Sequence, residues 1–307
     1  MKSSLPSLSR RNFSLAAVSV ALSACVTGSP DGKRAAHGRA PFQVSPFRVG
    51  LALGGGAARG FAHIGVIKAL EAHNVQVDLV SGTSAGSVVA ALYASGMNGL
   101  TLNRLALQMD EASISDWALP FRARGILHGV ALQNYVNAMV HNRPIESMSK
   151  SLGIVATDLH SGEPILFQRG NTGMAVRASC SIPTIFEPVE ISGHEYVDGG
   201  LVSPVPASSA RRMGADFVIA VDISAQPETA SVQSTLDVLM QSFTIMGQSI
   251  KAHELAQYAD VVIRPNLNAM SSSDFSQRNA AILAGEYAVA KIMPELQGKL
   301  NARLAAI

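Results

Sequence analysis

Ser84 is the residue in this chain best placed to act as a nucleophile. It sits at the centre of the run Ser81, Gly82, Thr83, Ser84, Ala85, Gly86, a GxSxG pattern. An apolar run (Val77, Leu79, Val80) leads into it, and small residues at helical spacing follow over 85–94. A strand, a sharp turn and a helix in that order push a serine hydroxyl out at the top of a sheet. Gly82 and Gly86 keep Cβ atoms away where the turn and the helix pack closely. The free N–H groups at the start of the helix favour negative charge on whatever the serine attacks. Taken alone, the pattern also reads as a glycine-rich turn capped by a serine.

A second glycine-rich stretch precedes it. The apolar run at 49–53 reads as a buried strand and passes directly into Gly54, Gly55, Gly56, Ala57, Ala58, Arg59 and Gly60, before an amphipathic helix over 61–73. Such a loop presents backbone N–H groups without obstruction and can hold an anion, either a nucleotide phosphate or an oxyanion. The Walker spacing is missing, and Asp78, near the distance at which a dinucleotide site has its acid, enters the strand that leads to Ser84. The oxyanion hole is the favoured reading, with Gly54, Gly55, Gly56 and Ala57 as its donors.

Ser84 needs a base. In the order of an ordinary α/β-hydrolase the base would be His253, but it lies in a stretch of helical spacing and not at a strand end. Asp198 is better placed. It follows a strand-like segment and precedes Gly199 and Gly200, so that it can face a neighbouring site, and partial burial would raise its pKa toward that of an effective base. Asp followed by two glycines is also an ordinary turn signal.

The glycine loop, the elbow and the acid turn, with the block over 178–188 that leads into the acid strand, together resemble the patatin-like phospholipases over residues 48–222. The resemblance implies a three-layer α/β fold with a largely parallel sheet and helices on both faces. It also implies a Ser-Asp dyad of Ser84 and Asp198, supported by Arg59, Gly60, Gly82, Gly86, Gly199 and Gly200, and an acyl-enzyme formed from phospholipid, lysophospholipid or acylglycerol. No cofactor and no metal are expected, since the eight histidines form no recognisable ligand set. His63 reads as helix packing. The chain departs from the family pattern in two places: Ala57 stands for the middle glycine, which leaves open which amides form the hole, and Ser203 stands where Asn is frequent.

The remaining elements must position these groups. Helical spacing recurs over 101–109 and 130–141, strand-like runs at 153–156, 165–167, 217–221 and 261–263, and helices over most of 236–307. This alternation implies a largely parallel sheet covered on both faces. The apolar stretch near Trp117 and Phe121 reads either as a lid at the lipid entrance or as a packed loop. Of the two cysteines only Cys180 belongs to the folded domain, where it reads as a buried structural thiol.

The N-terminus reads as a targeting segment. Arg10 and Arg11 precede an apolar stretch over 13–24, and Leu22, Ser23, Ala24 and Cys25 resemble a lipobox; residues 9–13 also resemble a twin-arginine signal. The expected organisation is a signal peptide over 1–24, a flexible tether over 25–46 with an acylated Cys25, and an acyl hydrolase domain over 47–307. Val26 after the cysteine points to the periplasmic side of a bacterial outer membrane. The expected partners are membrane lipids, as substrate and as anchor. The formal charge of +2 falls to −1 over residues 25–307, with 21 basic and 22 acidic groups, so nucleic acid is not expected, and neither is a protein partner. Two alternatives are a tethered lipid-binding protein with an idle dyad and an esterase or thioesterase acting on soluble acyl compounds.

Overall fold

The structure is a computed structural model and describes residues 47–109, 124–225, 227, 233–271 and 274–306. The signal, the tether, Cys25, Trp117 and Phe121 lie outside the described residues. The first β/α unit is β1 (Val49–Leu53), a 3-10 turn (Ala57–Gly60) and α1 (Phe61–Ala72); the second is β2 (Leu79–Thr83) and α2 (Ala85–Ala94). Then come α3 (Gly99–Gln108), β3 (Gly125–Leu127), α4 (Val130–Met139), β4 (Ser151–Asp158), β5 (Pro164–Phe167), α5 (Thr172–Ser179) and β6 (Thr184–Phe186). The chain continues through β7 (Val189–Ile191), β8 (His194–Asp198), α6 (Ala207–Arg212), β9 (Phe217–Val221), α7 (Thr235–Tyr258), β10 (Val261–Ile263) and α8 (Arg278–Leu304).

The main sheet has the order β10-β9-β1-β2-β4-β8-β7, with β5 also paired to β4. From β10 to β4 every pairing is parallel, while β5, β8 and β7 run antiparallel to their neighbours. Strands β1, β2 and β9 are buried along their whole length, as a parallel sheet with both faces covered requires. On one face α2 and α5 lie on the sheet, and α1, α3 and α8 extend the main core. On the other, α6 and Leu255 of α7 close a second core over Ala52, Leu79 and Val218. Two helices begin where a side chain can take up an orphan amide: Asn98 accepts from the Thr101 N–H at 2.9 Å, and Asn171 from Met174 at 2.7 Å.

Helices α1 and α8 touch backbone to backbone. A Cβ on Gly65 would stand 1.8 Å from the Ile282 carbonyl oxygen, and one on Gly285 would stand 2.1 Å from that of Ala62. This pair of glycines seats the C-terminal helix against the helix that follows the glycine loop.

Strand order places Ser84 and Asp198 near one level. Thr83, the last residue of β2, is opposite Val155 of β4, and the next β4 residue, Ala156, is opposite Asp198 at the end of β8. Ser84 and Asp198 therefore emerge two strands apart and one residue out of step, a lateral gap of about 10 Å between backbones that two side chains can bridge.

Candidate active site

Ser84 leaves β2 with φ 50° and ψ −126°, a backbone conformation few non-glycine residues adopt. The surroundings impose it. The Ser84 N–H donates to Ser179 Oγ at 2.9 Å, Ser179 Oγ donates to the Val155 carbonyl at 2.5 Å, and the Ser84 carbonyl accepts from Ser87 Oγ at 2.6 Å. Gly86 permits the sharp corner, since a Cβ there would stand 2.1 Å from the Leu53 carbonyl oxygen. Gly82 precedes Thr83, the last residue of β2, and a Cβ there would stand 2.6 Å from the Gly86 carbonyl oxygen.

Asp198 ends β8, with Gly199 and Gly200 in the 3-10 turn that follows. Its Oδ1 accepts the Gly200 N–H at 2.7 Å, and Thr157 Oγ1 donates to its carbonyl at 2.8 Å. Its Oδ2 is buried without a hydrogen-bond partner of good geometry, while the Ser84 hydroxyl still acts on the carboxylate as a donor that lowers its pKa. The two groups are thus poised side by side, short of a fully formed bond. Ser84 is 8% exposed and Asp198 6%. Burial dominates and raises the Asp198 pKa to about 6, against the smaller lowering effects of Ser84 and the Gly200 amide.

The glycine loop supplies fewer donors than the sequence suggests. The Gly54 N–H is spent on the Val221 carbonyl and the Gly55 N–H on that of Pro204, both at 3.0 Å, so neither can face an oxyanion. Gly54 continues the β1 to β9 ladder, and Gly55 is held by the loop after the acid. Gly56 and Ala57 are left. Their N–H groups open the 3-10 turn and have no protein acceptor among the described residues. Ala57 has φ 49°, so its N–H is presented from the left-handed region natural to the glycine it replaces, not from the negative φ of ordinary alanine backbone.

Arg59 and Gly60 sit in the same turn. Arg59 is buried and donates through Nε and one terminal nitrogen to the Met270 carbonyl at 3.0 and 2.8 Å, tying the loop to the segment before α8. Asp78 lies at the far end of β1, where its Oδ2 accepts the Val49 N–H at 2.7 Å, well away from the loop. His253 is exposed on α7.

Several groups that position the site carry no local sequence signal. His63 is fully buried, and its Nε2 is 2.8 Å from the Gly54 carbonyl; burial lowers its pKa to about 4, so it is neutral and donates to that oxygen. Ser203 Oγ donates to the buried Glu254 carboxylate at 2.9 and 3.0 Å, and that carboxylate also accepts from the Ser208 N–H at 3.1 Å. Burial raises the Glu254 pKa. Ser203 thus takes a carboxylate partner on α7. Cys180 is free and buried; its thiol lies beside Ser84 and 3.8 Å from Ser87 Oγ, and burial pushes its pKa well up, which leaves it a poor nucleophile.

Ser84 and Asp198 open into a cleft of about 260 Å³. Met240 and Phe243 of α7 form its apolar side, and Ser224, Gln248 and Lys251 its polar side. Lys251 is paired with the buried Asp222, Nζ to Oδ2 at 3.1 Å. Among the described residues no group of three His, Cys, Asp or Glu is arranged to hold a metal ion, and no helix is long and apolar enough to cross a membrane.

Comparison with known proteins gives a consistent family. The model of the patatin-like phospholipase family matches residues 51–211. An uncharacterized NTE family protein of Mycobacterium tuberculosis is 37% identical over 185 residues, covering 58% of this chain and 49% of its own. The patatin-like phospholipase domain-containing protein 6 of Homo sapiens is 32% identical over 232 residues, covering 73% of this chain and 16% of its own. The chain therefore spans half or less of the length of these relatives. Among solved structures, VipD from Legionella pneumophila shares the fold, with a TM-score of 0.54 at 17% identity over 82% of this chain and 67% of that one.

Proposed function

The chain belongs to the patatin-like phospholipase family, and on that premise we propose that it is a serine acyl hydrolase that cleaves ester bonds of membrane lipids with a Ser84-Asp198 dyad. The observation that carries this reading is the buried Asp198 carboxylate, with one oxygen unpartnered and its pKa raised to about 6, beside a serine held in a strained elbow. A carboxylate in that state is ionised at neutral pH and still basic enough to accept a proton in the transition state.

In the proposed reaction Ser84 Oγ bonds to the ester carbonyl carbon as its proton passes to Asp198. The carbonyl oxygen becomes an oxyanion held by the Gly56 and Ala57 N–H groups, and loss of one such donor would cost on the order of 3 kcal/mol of transition-state stabilisation. The intermediate collapses, the alcohol leaves with the proton from Asp198, and the acyl group remains on Ser84. Water then gives its proton to Asp198, attacks the acyl carbon and releases the fatty acid, and the proton returns to Ser84.

Phospholipid or lysophospholipid is the proposed substrate, because the cleft combines apolar residues from α7 with hydrogen-bonding groups and the Lys251 side chain. We place the protein on the periplasmic face of a bacterial membrane, with the outer membrane favoured, through acylation of Cys25. Cys25→Ala would move it from the membrane to the soluble fraction, and unchanged fractionation would remove the anchor.

The central test follows fatty acid release by the full chain and by Ser84→Ala from phospholipid vesicles, lysophospholipid micelles and a p-nitrophenyl ester. Release from lipid that vanishes in the variant supports the reading. Release from the soluble ester alone makes the protein an esterase on soluble compounds, and lipid binding without release from any substrate makes it a binding protein with an idle dyad.

A further inference from the structure

A second cavity, of about 110 Å³, lies behind the glycine loop between α1, α2, α3 and α4. That is several times the 10–15 Å³ or so that one water requires. Ala57 lines both this cavity and the cleft that holds Ser84 and Asp198, and Ala85, the residue after the nucleophile, lines the second one. Among the described residues Tyr135 provides the one polar side chain on its wall. Phe61 and Phe275, edge to face with centroids 6.1 Å apart, close one side.

We propose that this cavity is the acyl-chain site and that the leaving alcohol occupies the cleft; the inference rests on the hydrolase reading above. The argument is geometric. In the tetrahedral intermediate the carbon bears Ser84 Oγ, the oxyanion, the acyl chain and the leaving oxygen. The Gly56 and Ala57 amides take the oxyanion, so the two remaining substituents must depart in two directions. Ala57 lines both cavities: the cleft presents Ser224, Gln248 and Lys251, the second cavity an almost wholly apolar wall. An alkyl chain gains by entering the second, and a polar alcohol would lose its hydration there.

The depth sets a length. The wall residues on α2 run from Ala85 to Leu92, about 10 Å at the helical rise of 1.5 Å per residue. An extended chain of bonds near 1.5 Å advances about 1.25 Å per carbon, so roughly eight carbons reach that depth. Up to that length each added methylene should raise kcat/KM by about fourfold, after which the gain should flatten.

The test uses the full chain with p-nitrophenyl esters of four, eight and twelve carbons. Val88 and Leu105 line the cavity from α2 and α3, and both are half-buried, so a larger side chain at either can enter the cavity from its rim. In Val88→Trp and in Leu105→Trp the ratio of kcat/KM for the eight-carbon over the four-carbon ester should fall at least tenfold. Should one variant fail to fold, the other decides. An unchanged ratio in a folded variant, or an equal fall on every ester, would overturn the acyl-chain assignment while leaving the hydrolase intact. No Ser84-dependent release from any ester or lipid by the unmodified protein would overturn both.

Discussion

The Thr83 hydroxyl donates to the Ser203 carbonyl at 2.8 Å. This bond ties the residue before Ser84 to the loop that follows Asp198, across a sequence separation of 120. Two neighbours do the same: Gly55 gives its N–H to the Pro204 carbonyl at 3.0 Å, and Ser81 Oγ donates to that of Pro206 at 2.8 Å. One loop, braced from α7 by Glu254, therefore aligns the elbow, the glycine loop and the acid.

Thr83→Val should expose the weight of that alignment. It keeps the shape and removes the donor, leaving the buried Ser203 carbonyl short of a partner, at a cost of roughly 1–3 kcal/mol. The expected outcome is a fall in kcat of about tenfold with KM little changed, together with a lower urea midpoint. Full activity would mean that the loop is held well enough by its other bonds.

Asp198 should show its burial in two ways. The pH profile of kcat/KM should rise through about 6 as the carboxyl ionises and then level off. For stability the sign is opposite: with the folded pKa raised above its ordinary 3.8, the stabilising effect is complete below that value and is lost as pH rises through about 6. Keeping the group ionised should cost on the order of 3 kcal/mol at neutral pH. Asp198→Asn should therefore abolish hydrolysis yet raise the urea midpoint at pH 8, and the gain should shrink toward pH 4. A variant no more stable than its parent at pH 8 would contradict the burial argument.

The two histidines offer a contrast. His63→Ala removes a fully buried ring and the donor to the Gly54 carbonyl, so it should destabilise the fold by about 2–4 kcal/mol and slow turnover. Its lowered pKa means that stability is present above about 6.5 and declines as pH falls toward about 4. His253→Ala, exposed on α7, should leave activity near normal. If the effects were reversed, a histidine-based mechanism would replace the dyad.

Ala57 carries a backbone cost of about 1–2 kcal/mol at φ 49°. Ala57→Gly should relieve it, partly offset by about 0.5–1 kcal/mol of extra chain entropy, so the melting temperature should hold or rise slightly with activity kept. Ala57→Val, β-branched at the same φ, should destabilise markedly and lower kcat a hundredfold or more by displacing the donor amide. Calorimetry and initial rates on the same preparations would decide both.

Much of this protein is written locally. The GxSxG run, the glycine loop and the acid turn each depend on a few consecutive residues, and β9, β10 and the elbow helix lie where short apolar runs and small residues at helical spacing put them. Backbone conformation and side-chain periodicity act over a turn or two, so they can be read without knowing what lies beside them. Ser84 and Asp198 were legible for that reason. What an N–H does is another matter. Gly54 and Gly55 look like free donors in the sequence, but β9 stands beside β1 and the acid loop passes over the site, and their carbonyls take both amides. The same holds for His63 under the glycine loop, for Ser203 on Glu254 and for the apolar cavity shared by four helices. Each depends on which segments become neighbours, and burial then sets the price of any polar group left alone. The sequence by itself singled out Ser84 and Asp198 as candidate nucleophile and acid and determined the layered α/β frame; the tertiary structure decided which glycine-loop amides keep no protein acceptor among the described residues, that burial raises the Asp198 pKa, and where an apolar cavity opens beside Ala57.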